Sequence, residues 1–328
     1  MADYAYIMGV LRSLEAKLLN TNDLERMIDA PNAEAAFRVF NDTEYADNIL
    51  DVEVAEFKKA LDADLLQTKE MYEKMLGNKD LLDFLFCRHD FHNVKLSFKA
   101  KYSGKELKEF ESELGNISAD KIRQSVVEDS TPDLPDSLKE VVEKAKVKFE
   151  KNHDPHYIDN LLDKEMFKHL VSLVKKIDNE FVTDFLKLQI DLANIKILLR
   201  VKRLKRDISF LKNELIEGGS IPTKELVEQL DKDTKTILKY LEKYFDNKMV
   251  VIFDEYEKED SLWNLEQGFE NYELDYLQQT KMYNYGPEIV LSYFYAKKNA
   301  IRNVRLVMTG KINGVDSQEI KQRLRNLW

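Results

Sequence analysis

One pattern occurs three times without a gap, F-x8-N-[VI]-[KR]-[LI]-x4-K. It runs from Phe84 through Asn93-Val94-Lys95-Leu96 to Lys101, from Phe185 through Asn194-Ile195-Lys196-Ile197 to Lys202, and from Phe294 through Asn303-Val304-Arg305-Leu306 to Lys311. Six columns match in each copy, and the copies lie 101 and 109 residues apart. A repeat of about 100 residues is longer than the 20–50 residues of a solenoid unit. It therefore predicts an internal triplication, with helical units at 1–102, 103–203 and 204–328.

Those units are expected to be all-α. Apolar residues recur at three- and four-residue steps, as in Ile7, Val10, Leu11, Leu14 and Leu18, and in Leu162, Met166, Leu170, Leu173, Val174 and Ile177. The chain has 10 glycines and 6 prolines in 328 residues, against average usage of about 7% and 5%. Few turn residues mean few turns and long elements. Met249–Phe253 is the one strand-like window. Helix starts are predicted at Ser137 with Glu140, Asn22 with Glu25, and Asp316 with Glu319, all of the capping-box type. Ser118–Asp136, interrupted by two prolines, reads as a loop or linker.

A glycine turn leading into a short amphipathic helix follows each copy. Gly115–Ile122 resembles Gly219–Leu226, and Gly314–Ile320 is a version one residue shorter. Asn20–Ile28 has the same character without the glycine.

Asparagine is a mediocre helix former because its amide competes for backbone hydrogen bonds. Its return in all three copies, flanked by apolar residues, suggests that Asn93, Asn194 and Asn303 each satisfy a fixed backbone group.

Bulk charge excludes several functions. Fifty basic and 60 acidic residues give a net charge of -10, which argues against nucleic acid and against an anionic lipid surface. No apolar run approaches the about 20 residues of a membrane span. The start Met-Ala-Asp-Tyr is unlike a secretory signal. Cys87, the one cysteine, cannot form an internal disulfide and reads as a small buried residue in a reducing compartment.

Motifs for catalysis fail individually. His89 with His92 and His153 with His156 have one-face spacing on a helix, and His89-Asp90 and His153-Asp154 are His-Asp dipeptides like those of helical metal-dependent phosphohydrolases. Such a site needs a further upstream histidine and a downstream aspartate: nothing before His89 can serve, and His89 or His92 could serve His153-Asp154 only across a long interval. Asp90 belongs to the repeat, since Asp191 also precedes its asparagine by three, while the histidine does not recur. Thr309-Gly310-Lys311 resembles the end of a phosphate-binding loop, but Ile312 stands where serine or threonine would hold magnesium and Arg305 where the first glycine would be. Ser103-Gly104-Lys105 is followed by Glu106 and fails too. No catalytic, cofactor-binding or metal-binding residue is therefore expected, and no small-molecule ligand. Two basic groups remain, Lys196–Arg206 and Arg302–Arg325, readable either as solvated helix faces or as docking surfaces.

Three ordered stretches resemble the C subunit (also called d) of V-type and A-type rotary ATPases. They are Tyr6–Leu19, Asp191–Arg200 and Asn303–Gly314. Ala300 departs from the pattern, standing where an acidic residue is expected. The resemblance implies a funnel-shaped, all-helical molecule of three similar subdomains. It implies a non-catalytic rotor subunit of the central stalk, without cofactor, peripheral on the cytoplasmic face of the membrane. Its partners would be the proteolipid ring and the D and F shaft subunits, and it would serve ion transport coupled to ATP hydrolysis or synthesis. The alternatives are a helical scaffold of another assembly and a helical metal-dependent hydrolase.

Overall fold

The computed structural model describes residues 4–43, 53–128, 130, 134–152 and 155–328. Among them there is no strand. The helices in chain order are α1 (Ala5–Glu15), α2 (Thr21–Asp29), α3 (Ala33–Asn41), α4 (Phe57–Met75), α5 (Lys79–Ser103), α6 (Ala119–Val126), α7 (Asp136–Asn152), α8 (Pro155–Ile177), α9 (Glu180–Arg203), α10 (Ile208–Glu214), α11 (Thr223–Gln229), α12 (Thr234–Leu241), α13 (Asn247–Glu259), α14 (Leu262–Gln278), α15 (Pro287–Ile312) and α16 (Ser317–Gln322). The strand-like Met249–Phe253 lies inside α13: an apolar run this short carries no periodicity to separate strand from buried helix.

By compactness the chain divides into two units, residues 78–231, and residues 1–77 together with 232–328. In the first, α8 packs against α5, α7 and α9. Phe84, Phe86, Phe185, Leu162 and Leu170 fill its core. In the second, α15 is central and touches α1, α2, α3, α4, α14 and α16. Tyr72 on α4 donates its hydroxyl to the Val290 carbonyl at 2.9 Å. Lys297 on α15 pairs with Asp64 on α4 at 2.8 Å, both side chains largely buried.

The pattern falls on the three longest helices, α5, α9 and α15, of 25, 24 and 26 residues. Two of them begin at asparagine caps. Asn78 accepts from the Leu81 amide and Asn179 from the Val182 amide, each at 3.0 Å, which satisfies donors that a helix start leaves orphaned. The third begins with Gly286 followed by Pro287 at the first helical position.

Several predicted boundaries shift. The capping box of α2 is Asn20 with Asp23, two residues before the expected pair, so Asn22 lies within the helix. Helix α7 starts at Asp136, placing Ser137 inside its first turn. Asp316 does cap α16, accepting from the Gln318 amide at 2.8 Å. Ser118–Asp136 is not all linker: α6 occupies its first half, while Asp129 and residues 131–133 lie outside the described residues.

Candidate functional site: three amide clamps

Asn93, Asn194 and Asn303 are fully buried, and all three make the same two hydrogen bonds. Each side-chain amide donates to the carbonyl of one loop residue and accepts from that residue's own N–H. For Asn93 the residue is Ser112, both bonds 2.8 Å. For Asn194 it is Ile216, at 2.7 and 2.8 Å. For Asn303 it is Arg325, both at 2.9 Å. A primary amide matches a peptide unit in this way because it carries one acceptor and a donor side by side. The clamp draws the returning loop against the long helix and satisfies a backbone unit, buried at Ile216 and Arg325 and partly buried at Ser112, that has no secondary-structure partner.

Around each clamp the chain repeats its geometry. Eleven residues past the asparagine, the backbone turns left-handed at Gly104, Lys205 and Gly314, with φ of +65°, +51° and +66°. This corrects the register read from sequence. Gly314 corresponds to Gly104 and Lys205, not to Gly115 and Gly219. The lysine at the middle position adopts a conformation that favours glycine, so residue type alone conceals the match.

The last lysine of the pattern also has one task in all three places. Lys101 donates to the Val126 carbonyl at the end of α6, at 2.8 Å. Lys202 donates to the Leu230 carbonyl after α11, at 3.2 Å. Lys311 donates to the Ala30 carbonyl after α2, at 2.8 Å. A cation at a helix C-terminus meets both orphaned carbonyls and the negative end of the dipole. The short helix beside α15 is thus α2, from the opposite end of the chain, where Ser317 Oγ also donates to the Ile28 carbonyl at 3.0 Å.

Two clamps carry an additional carboxylate. Asp90 accepts from the Asn116 and Ile117 amides at 3.2 and 2.9 Å. Asp191 accepts from Ser220 and Ile221, both at 3.0 Å. Burial pushes the Asp191 carboxyl up, against the pull of these amides. The glycines Gly115 and Gly219 make room: a Cβ on either would lie 2.3 or 2.2 Å from the carboxylate oxygen. At the third clamp Ala300 replaces the acid and Trp328 stands at the glycine position. Both members of the pair have changed together.

The histidines serve the loops. His89 Nδ1 lies 2.8 Å from Ser112 Oγ, and His92 Nε2 lies 3.1 Å from the Phe110 carbonyl. His153 and Asp154 lie outside the described residues, as does the side chain of His156. The structure does gather Asp83, Cys87 and His169, with ligand-type atoms within 4.8 Å, a group that sequence spacing could not reveal. Two of its three members are otherwise engaged. Asp83 accepts from Asn116 at 3.0 Å and pairs with His169 at 2.8 Å, and burial pushes the Cys87 thiol up, away from the thiolate that a metal requires.

The C-terminal basic group is spent on internal contacts. Arg302 and Arg325 meet Glu270, Arg305 meets Asp62, Lys321 meets Asp29 and Arg323 meets Glu319. Within Lys196–Arg206, Lys202 is the helix-end donor above, and Arg206 lies over the Phe210 ring.

Comparison with known proteins places a chain with these clamps in a known family. A model of the family described as ATP synthase (C/AC39) subunit matches residues 7–323. The C subunit of the V-type sodium ATPase of Enterococcus hirae is 22% identical over 328 residues, covering 99% of both chains. The C subunit of the A-type ATP synthase of Methanocaldococcus jannaschii is 23% identical, covering all of this chain and 87% of its own. That of Pyrococcus furiosus is 23% identical over 97% of this chain and 89% of its own. The chain belongs to the ATP synthase (C/AC39) subunit family, and is a non-catalytic subunit of a V/A-type rotary ATPase complex.

Proposed function

We propose that this chain is the central-stalk subunit that joins the D and F shaft to the membrane proteolipid ring, on the cytoplasmic face, and passes torque between them. The near full-length family match carries this reading. Three physical observations support it. No helix among the described residues is long and apolar enough to cross a membrane, so attachment runs through protein. A net charge of -10 opposes recruitment by anionic lipid. The long helices are tied to their loops by buried bidentate clamps, which suits a part that must transmit force without yielding.

The three clamps support three similar helical subdomains descended from one unit, with boundaries near 102 and 203 as the repeat spacing suggests. A ring presents identical loops in a circle, and three non-identical units meet such loops through a polar, adaptable interface.

Sedimentation with vesicles tests the docking. The chain should bind vesicles containing the proteolipid ring, leave bare anionic liposomes unbound, and dissociate at raised salt, since exposed charges are screened beyond about 8–10 Å at physiological ionic strength. Strong binding to protein-free liposomes would sink the reading.

A further inference from the structure

The first clamped loop is shorter than the other two. Nineteen residues separate Asn93 from Ser112, whereas 22 separate each later asparagine from its partner. Where α10 and α16 stand in the later loops, the first has only a 3-10 turn, Lys108–Phe110.

The missing turn leaves a seat half filled. Five residues before the clamped position, Leu211 on α10 and Ile320 on α16 are fully buried. Ile320 sits directly on Gly310 of α15: a Cβ there would lie 2.7 Å from Ile320 Cδ1. The corresponding pair in the first loop is Leu107 and Ala100. Leu107 is only half-buried, and an open cavity of about 440 Å³ remains, walled by Leu96, Ser97, Ala100, Leu107 and Val127.

The wall is also polar where its counterparts are not. Ser97 is buried and its hydroxyl has no hydrogen-bond partner. At the same place on the other long helices stand Leu198 and Val307, both fully buried. A buried hydroxyl without a partner costs about 1–3 kcal/mol, so it marks a place where an acceptor arrives from elsewhere. The exposed rim carries Lys105 and Lys108 against Glu106, a locally basic edge on an acidic protein.

We propose that this cavity is a docking seat for a helix of another subunit of the ATPase. That helix supplies from outside the aliphatic side chain that α10 and α16 supply internally. Its chemistry follows from the walls: a leucine or isoleucine entering over Ala100, a neighbouring acceptor for Ser97 Oγ, and a carboxylate facing Lys105 and Lys108. The proposal rests on membership of the complex, not on the ring-and-shaft reading, and fails or stands separately from it.

The experiment is thiol protection. Glu106→Cys in the full chain places an exposed thiol at the rim, while native Cys87 is buried. Maleimide labelling should be at least about tenfold slower in the purified ATPase complex than in the isolated chain, as expected of a site enclosed by a partner. Equal rates overturn the proposal. If that variant does not assemble, Lys108→Cys gives the same readout. A photo-crosslinker at position 106 should join a different subunit at a helical segment with an aliphatic residue beside an acid. A crosslink to a second copy of this chain, or to lipid, also overturns it. Ala100→Phe fills the seat from within and should reduce incorporation into the complex at least about fivefold without lowering Tm; unchanged incorporation counts against the seat.

Discussion

The clamps at Asn194 and Asn303 hold loops of equal length by the same two bonds, yet their surroundings are built differently. At Asn194 the rest of the loop is held by the helix that carries the asparagine: Asp191, one turn earlier, takes two consecutive amides. At Asn303 the corresponding residue is Ala300; α15 itself gives only Asn299, which donates to the Asn326 carbonyl, and the other holding groups come from α14. Gln267 donates to the Gln322 and Leu324 carbonyls. Glu270 pairs with Arg325. Asn271 accepts from the Asn326 amide at 2.8 Å, and Gln278 donates to the Leu327 carbonyl at 3.2 Å. One buried carboxylate, or one polar helix face, meets the same demand, that backbone groups drawn out of water be paired. The carboxylate is compact and requires a glycine facing it. The helix face needs several residues but tolerates Trp328 at the glycine position.

The largest break in this comparison should come from the asparagines. Asn194→Ala and Asn303→Ala each strand a buried N–H and a buried carbonyl, so each should lower unfolding free energy by about 3–5 kcal/mol. Asn93→Ala should cost less, because Ser112 is partly exposed. Denaturant titration of the three variants gives the ranking, and a loss below about 1 kcal/mol at Asn194 would show that the clamp is incidental.

Next in size is the coupling of acid and glycine. Gly219→Ala drives a methyl into the Asp191 carboxylate and should cost about 2–3 kcal/mol. Ala300→Asp buries a carboxylate at the clamp held by α14 and should cost a similar amount. If Ala300→Asp were neutral by the same titration, the two modes of holding would be interchangeable.

Gln267→Ala should have a smaller effect, about 1–2 kcal/mol, because two carbonyls lose one shared donor at a partly exposed place. Hydrogen exchange of amides 323–327 should rise while those of residues 216–221 stay unchanged.

The subtlest effect is in pH. The Asp191 carboxyl is raised by burial, so its contribution to stability is full below the ordinary aspartate value of about 3.9 and is lost as pH rises through its value in the folded protein. Asp191→Asn does not titrate. The stability of the natural chain relative to this variant should therefore decline between strongly acidic and neutral pH. A relative gain over that interval would reverse the assignment.

The all-helical fold was legible because period and composition agree over long segments, and the clamping asparagines because a poor helix former returned at one place in three. Three things were not legible. Lys205 hides the repeated left-handed turn, since only its backbone matches the glycines. Asp83, Cys87 and His169 meet through packing of α5 on α8, which no local spacing encodes. The partnership of α2 with α15 spans 281 residues, beyond any pattern confined to a window. Ala300, by contrast, was visible as a departure, and its reason appeared once Trp328 was seen at the glycine position.

That long-range partnership has a consequence for how the chain is made. Residues 78–231 form a compact unit from continuous sequence, complete once they have left the ribosome. Helix α2 emerges well before them, but the carbonyl it offers to Lys311 lies 281 residues earlier than that lysine. At roughly 5–20 residues per second, Leu24, Met27 and Ile28 wait about a quarter of a minute to a minute for the helix that will cover them. In that interval the nascent chain carries a finished middle and an unfinished beginning, and its early apolar face is the surface that a chaperone would have most reason to hold.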